Sequence, residues 1–143
     1  MSATVMINDE WLWSLNRLIP NDPVVGRQVL EQIREQLEAQ EWDEREIFGV
    51  RLAVDEALVN AMKHGNRQDA GKQVGVVCKL SAKRLWIRIA DEGPGFTPEA
   101  VPDCTEPENL ERPCGRGIML MRSFMSRVEY NPQGNAVEME KQR

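Results

Sequence analysis

Apolar residues recur at helical spacing in two long segments of the first half of the chain. Asp22-Pro23 is typical of a helix start, with the aspartate as cap and the proline at the first helical position. The helix that follows is predicted to run to about Gln40, and Asp43 then begins a second helix, which Gly65 ends in the usual C-terminal role of glycine. The residues of the first helix expected to face the core are Val29, Leu30, Ile33 and Leu37.

Alternating apolar and polar residues, or short apolar runs bounded by turn residues, predict strands before and after these helices. A third helix is predicted at residues 118–125. The predicted strands are residues 11–19, 74–80, 85–90, 127–131 and 136–141, and the last four form two hairpins.

This order of elements indicates the α+β class. We expect a two-layer sandwich in which about three helices cover one face of a mixed, mostly antiparallel sheet. At 143 residues the chain is long enough for one domain, which we expect to span residues 1–143 with its core at about 11–141. Residues 97–114 contain four prolines and no periodicity, which is typical of a functional lid in a domain of this size.

The second helix carries polar residues away from its apolar stripe. Glu56 and Asn60 are four residues apart, about 6 Å along a helix, so both side chains leave the same side. A carboxylate can take a proton from a hydroxyl or a water, and a carboxamide oxygen can bind a hard divalent cation. Asp55 is the alternative carboxylate, about 100° away round the helix. A solvated helix face is the alternative interpretation of the whole pattern.

Two glycine-containing segments lie after the strand at 85–90 and before the third helix. In the first, Asp91-Glu92-Gly93-Pro94-Gly95, the residues Gly93 and Gly95 permit a tight turn and a close approach of backbone to a ligand. An ordinary turn is the alternative. The second is Gly115-Arg116-Gly117, at the start of a helix, where free backbone N–H groups form a natural phosphate site.

In this order the three segments resemble the N, G1 and G2 boxes of the Bergerat-fold ATPases, the superfamily of gyrase, heat-shock chaperones and histidine kinases. Residues 115–128 look most like the bacterial anti-sigma-factor serine/threonine kinases, and the resemblance covers residues 22–141. It implies the Bergerat ATP-binding fold, with ATP and Mg²⁺ as ligands. The implied site residues are Glu56 as catalytic base, Asn60 on magnesium, Asp91 at the adenine amino group, Gly93 and Gly95 near the base, and Gly115, Gly117 and Arg112 or Arg116 at the phosphates.

The same resemblance implies an ATP-dependent protein serine kinase that is also an anti-sigma regulatory factor. Its partners would be a small anti-sigma-factor antagonist, which it phosphorylates, and a sigma factor, which it binds; a homodimer is also expected. Two alternatives stay open: a nucleotide-responsive partner-switching module without efficient kinase activity, and another Bergerat-fold ATPase. Ser126 departs from the family, which usually has an acid there, at a position outside the ATP-binding segments.

Composition constrains the setting of this chemistry. A net charge of −5 argues against direct nucleic-acid binding. No apolar run approaches the roughly 18 residues of a membrane span and no signal-peptide pattern opens the chain, so we expect a cytoplasmic protein without membrane contact.

Cys78, Cys104 and Cys114 lack C-x-x-C spacing, which predicts neither a disulfide framework nor a zinc site. The one histidine, His64, is expected to interact with the helix C-terminus rather than to act in catalysis, and no separate phosphoacceptor hairpin is predicted.

Overall fold

Five strands and three α-helices form in the parts of the chain that the computed structural model describes, residues 10–95 and 115–143, with the side chain of Arg116 outside that description. The predicted lid at 97–114, with Arg112, lies outside the described residues. The elements are β1 (Trp11–Pro20), α1 (Pro23–Ala39), α2 (Glu44–Val59), a π-helical turn (Asn60–Gly65), β2 (Gln73–Ser81), β3 (Arg84–Ala90), α3 (Gly115–Phe124), β4 (Arg127–Tyr130) and β5 (Ala136–Gln142).

Both predicted helix starts are confirmed by their caps. The Asp22 side chain accepts a hydrogen bond from the backbone N–H of Val24 at 2.9 Å, and Asp43 accepts one from Arg45 at 2.9 Å. A cap of this kind is worth about 1 kcal/mol, because it satisfies a backbone donor that the helix itself leaves unpaired. The residues of α1 that were expected to face the core are all buried.

The second helix ends where it was predicted to end, but for a different reason. The helix does stop at Gly65, but its last turn widens into a π-helix. The left-handed conformation that commonly ends a helix is adopted instead by Arg67 (φ 53°) and Gln68 (φ 61°). A glycine is therefore required at position 65 for a reason other than φ, which the site below supplies.

All described strand pairings are antiparallel, in the order β1-β2-β3-β5-β4. The α+β class and the mostly antiparallel sheet are confirmed, and the described sheet has no parallel pair. On one face the alternate residues of the central strands are buried and join a single apolar cluster with all three helices, as shown by Cys78, Ile87 and Met139. On the other face Trp86 Nε1 donates to Glu138 Oε1 at 3.1 Å. The helices therefore form one layer and the sheet the other.

The third helix has one side buried in the core and one side exposed. Met121 and Met125 are buried in the core, whereas Met119 is 68% exposed. None of the helices in the described ranges is long and apolar enough to cross a membrane.

Candidate functional site

A cavity of about 450 Å³ opens where the end of α2, the end of β3 and the β4–β5 hairpin meet. Apolar residues from all three, Ala57, Ile89 and Val137, form part of its wall. The polar side chains of Asn60, Asp91, His64, Tyr130 and Asn135 are also among its lining residues. A cleft of this size, with apolar wall residues and convergent polar groups, is typical of a small-molecule site.

Asp91 lies at the point where β3 ends. Its Oδ1 accepts a hydrogen bond from Gly93 N at 2.7 Å, and its backbone N–H donates to the carbonyl of Asn135 at 2.9 Å. Burial raises the pKa of the Asp91 carboxyl, while the Gly93 hydrogen bond and the charge of Lys72 act in the opposite direction. The result is a half-buried acceptor in the cavity wall, suited to a ligand that offers an N–H group.

Gly65 is explained by its contact with Asp91. A Cβ at position 65 would overlap the Asp91 carboxylate, and a Cβ at position 93 would overlap the Gly65 carbonyl oxygen. The π-helical turn and the loop after β3 therefore approach more closely than side chains would allow. Gly95, farther along the same loop, has a φ of 85° and lines the cavity.

Asn66 was not singled out in the sequence, yet it holds this region together. Its side chain is fully buried, and its Oδ1 accepts from Glu92 N at 2.8 Å. Its Nδ2 donates to the Gln73 carbonyl at 3.0 Å and to Asn21 Oδ1 at 3.2 Å. The sequence offered only a weak signal, a polar residue directly after a helix end, where turns are also common.

Asn60 and Tyr130 meet across the cavity. Asn60 is the first residue of the π-helical turn, and its side chain hydrogen-bonds the hydroxyl of Tyr130 at the end of β4. Burial raises the pKa of Tyr130 to about 12. The hydrogen bond with Asn60 has the opposite, smaller effect on this pKa. The Asn60 side chain and the Tyr130 hydroxyl are thus hydrogen-bonded neighbours at the cavity wall.

The hairpin that carries Tyr130 is closed by its own asparagine. Asn131 Oδ1 accepts from the backbone N–H groups of Gly134 at 2.8 Å, Asn135 at 3.0 Å and Ala136 at 3.1 Å. Asn135 in turn donates to the Gly93 carbonyl at 3.3 Å. The hairpin thus fixes both Tyr130 and one side of the Asp91 loop. Neither Tyr130 nor these asparagines were candidates from sequence.

Glu56 lies one helical turn before Asn60 and against the start of α3. A Cβ at Gly117 would overlap Glu56 Oε1, so the carboxylate contacts the backbone of that glycine. Burial raises the pKa of Glu56, and the charge of Asp55 raises it further. A half-buried carboxylate with a raised pKa is a stronger base than an exposed one. Asp55 is exposed and lines a different cavity, with Leu58 and Met62.

The structure thus brings most of the predicted site residues to one place. Asn60, Asp91 and Gly95 line the cavity, Gly93 lies buried behind Asp91, and Glu56 contacts Gly117. The backbones of Gly115 and Arg116 form the first turn of α3. Within the described ranges, no three His, Cys, Asp or Glu side chains converge as a metal-binding group. Mg²⁺ commonly takes one or two protein oxygens and completes its shell with phosphates and water, so the single amide oxygen of Asn60 fits that ion.

The sequence profile of the histidine kinase-like ATPase domain matches residues 19–141. The chain belongs to this family. The resemblance seen in the three segments is confirmed, and the matched residues include every element from the end of β1 to β5.

Curated relatives of this ATPase domain are anti-sigma factors and protein kinases. An anti-sigma F factor of Clostridium acetobutylicum is 34% identical over 88 residues, which are 59% of this chain and 59% of that protein. The serine-protein kinase RsbW of Oceanobacillus iheyensis is 28% identical, over 61% of this chain and 59% of the relative. The serine/threonine-protein kinase BtrW of Bordetella bronchiseptica is 28% identical, over 62% of this chain and 64% of the relative. The aligned parts therefore span about three fifths of these relatives.

A solved structure has the same fold. The crystal structure of the RsbU and RsbW domains of Rv1364c from Mycobacterium tuberculosis matches with a TM-score of 0.62 and 16% identity. The match covers 92% of this chain and 32% of the other. The two-layer architecture of this ATPase domain is thus shared with that protein.

Proposed function

We propose that this histidine kinase-like ATPase domain is an ATP-dependent protein serine kinase and anti-sigma regulatory factor. It would phosphorylate a small anti-sigma-factor antagonist and bind a sigma factor. The observation that carries the proposal is that Asn60 and Asp91 line one cleft, while Glu56 lies one helical turn before Asn60 and against the start of α3. The names of the relatives support the same activity.

The two ends of the site suit the two ends of ATP. At one end the half-buried Asp91 carboxylate accepts the exocyclic amino group of adenine, with apolar Ile89 and Val137 in the same wall. At the other end α3 begins with Gly115-Arg116-Gly117, and the first backbone N–H groups of a helix favour negatively charged oxygens. Asn60, one helical turn after Glu56, lies between them and offers an amide oxygen to a cation. The site therefore fits a purine nucleotide and a cation on its phosphates.

The chemistry proposed for the site is in-line transfer to a serine hydroxyl. The bond from the serine oxygen to the γ-phosphorus forms as the bond from that phosphorus to the bridging oxygen of ADP breaks. Glu56 accepts the hydroxyl proton, a role favoured by its raised pKa. Mg²⁺, when bound, neutralises charge on the phosphates, and Asn60 is the residue that would hold it.

The test is transfer of label from γ-labelled ATP, with magnesium, to candidate small antagonist proteins. We expect the purified chain to label one of them on serine, and Glu56→Gln to abolish most of the labelling while ATP still binds. ATP binding with no transfer to any candidate would instead identify a nucleotide-responsive binding module. No ATP binding by calorimetry would contradict the proposal altogether.

A further inference from the structure

Asn66 is a fully buried polar side chain that joins three separate segments. It follows the π-helical turn, and its own backbone N–H donates to the Ala61 carbonyl at 2.7 Å. Its amide nitrogen donates to the Gln73 carbonyl at the start of β2, at 3.0 Å. Its amide oxygen accepts from Glu92 N at 2.8 Å, in the loop after β3. One side chain therefore ties the end of the second helix to both segments that border it.

The contact with Glu92 fixes the residue next to Asp91. Glu92 is bound a second time, because its Oε1 accepts from Gln73 N at 2.5 Å. On the other side, the Asp91 N–H is held by the Asn135 carbonyl at 2.9 Å. The backbone of Asp91 is thus held from both sides, and Asn66 supplies the link to the helix that carries Glu56 and Asn60.

The position of this loop matters because hydrogen bonds depend steeply on distance and angle. An acceptor displaced by about 1 Å no longer meets a donor on a ligand held by other contacts. An amide is suited to the task, since it accepts from one backbone group and donates to another at the same time. Alanine at position 66 would leave the Glu92 N–H and the Gln73 carbonyl without this partner.

We propose that Asn66 is a positioning residue for base recognition: through Glu92 it sets the place of the Asp91 carboxylate and hence the preference for adenine over guanine. The inference rests on the proposed function, because it takes Asp91 as the group that meets the base. Asn66 does not line the cavity, so its effect is exerted through the loop.

The experiment measures the affinities of the full chain for ATP and GTP with magnesium and takes their ratio. We expect Asn66→Ala to lower the preference for ATP about tenfold, the loss expected when one good hydrogen bond is misplaced. Asn66→Asp keeps an oxygen for Glu92 N–H and loses the donor to Gln73, so it should lower the preference by less. Thermal unfolding of each variant shows that it is folded.

Asn21→Ala is the matched control. Asn21 belongs to the same hydrogen-bonded group, since it accepts from Asn66 at 3.2 Å and donates to the Met62 carbonyl at 3.2 Å. It makes no described hydrogen bond to the Asp91 loop. It should therefore cost stability yet leave the ATP preference unchanged. An unchanged ratio in Asn66→Ala, or an equal loss in Asn21→Ala, overturns the inference. If Asn66→Ala does not fold, Asn66→Asp is compared with Asn21→Ala, and equal ratios for these two overturn it as well.

Asp91→Asn separates this inference from the function on which it rests. If Asp91→Asn leaves the ATP preference intact, Asp91 does not meet the base and the proposed adenine site is wrong. If Asp91→Asn lowers the preference and Asn66→Ala does not, only the role of Asn66 is wrong. When both act through one carboxylate, the double variant should lose less preference than the two single losses combined.

Discussion

The carboxylate of Glu56 lies directly against the Cα of Gly117, so that the residue proposed as base contacts the first turn of the helix proposed to hold the phosphates. The two positions are far apart in sequence and on different helices. Their contact requires that position 117 have no side chain, since a Cβ there would overlap Glu56 Oε1. The glycine thus serves the placement of the base as well as access to backbone N–H groups.

Gly117→Ala should therefore impair transfer more than nucleotide binding. The new methyl group displaces the Glu56 carboxylate, while Asp91 and the loop around it are untouched. We expect phosphoryl transfer to fall by about tenfold or more, since small displacements of a catalytic group are costly. Gly75→Ala is the control, because a Cβ there meets only the Ala90 carbonyl oxygen at 4.0 Å. Normal transfer by Gly117→Ala would show that Glu56 need not lie where the structure has it.

Glu56→Gln tests the base itself. The amide keeps the shape of the side chain and cannot accept the proton of a serine hydroxyl, so we expect transfer to fall roughly 100-fold or more. ATP affinity, measured by calorimetry, should change little. Asp55→Asn on the same helix is the control, and it should retain transfer within a few-fold because Asp55 is exposed and lines a different cavity, away from Gly117. A reversal of these two results would assign the base to Asp55.

The parts of the fold that were predictable are those determined by neighbouring residues. Asp22 and Asp43 cap their own helices, and the alternation along residues 74–80 and 85–90 identifies strands whatever lies beside them. The class of fold followed from the order of such elements. The polar face of α2 was also a local pattern, which is why Glu56 and Asn60 could be named from sequence.

What the sequence did not reveal depends on distant contacts. Gly65 was expected to end a helix through its own φ, yet the glycine is required by Asp91, from a different element. The side chain of Asn66 accepts a hydrogen bond from the backbone of Glu92, 26 residues later. Tyr130 reaches Asn60 only because β4 is the edge strand of the five-stranded sheet, where β5 lies between β3 and β4. No periodicity or capping rule encodes such relationships in a single sequence.

The stability of the fold should depend on pH through Glu56. Burial raises the pKa of this carboxyl above its ordinary value of 4.5. The folded form therefore holds the proton more tightly than the unfolded form. The resulting contribution to the free energy of unfolding is full below pH 4.5 and is lost as pH rises through the raised pKa. Glu56→Gln cannot ionise. Its melting temperature should match that of the wild type in acid and exceed it near neutral pH. The exposed Glu35→Gln is the control, and a parallel pH dependence of wild type and Glu56→Gln would contradict the shift.

Tyr130→Phe should weaken the binding of ATP in magnesium. The Tyr130 hydroxyl is hydrogen-bonded to the Asn60 side chain, and we expect it to accept from the amide nitrogen and so to keep the amide oxygen turned toward the cavity. Without the hydroxyl the amide can rotate and present its N–H₂ group, which repels a cation. Losing a hydrogen bond worth about 1 kcal/mol predicts a loss of about fivefold in affinity. Phenylalanine keeps the ring, so the wall of the cavity is preserved.

The magnesium dependence distinguishes this role from a direct contact with the nucleotide. Calorimetry with ATP is carried out in magnesium and again in a chelator, for the wild type, Tyr130→Phe, Asn60→Ala and the double variant. We expect the Tyr130→Phe loss only in magnesium, and no further loss when Asn60 is already alanine, because Tyr130 then has no amide to orient. An equal loss in the chelator would mean that the Tyr130 hydroxyl meets ATP itself. An additive loss in the double variant would mean that the two residues act independently, and that the bond between them does not orient the ligand of the cation.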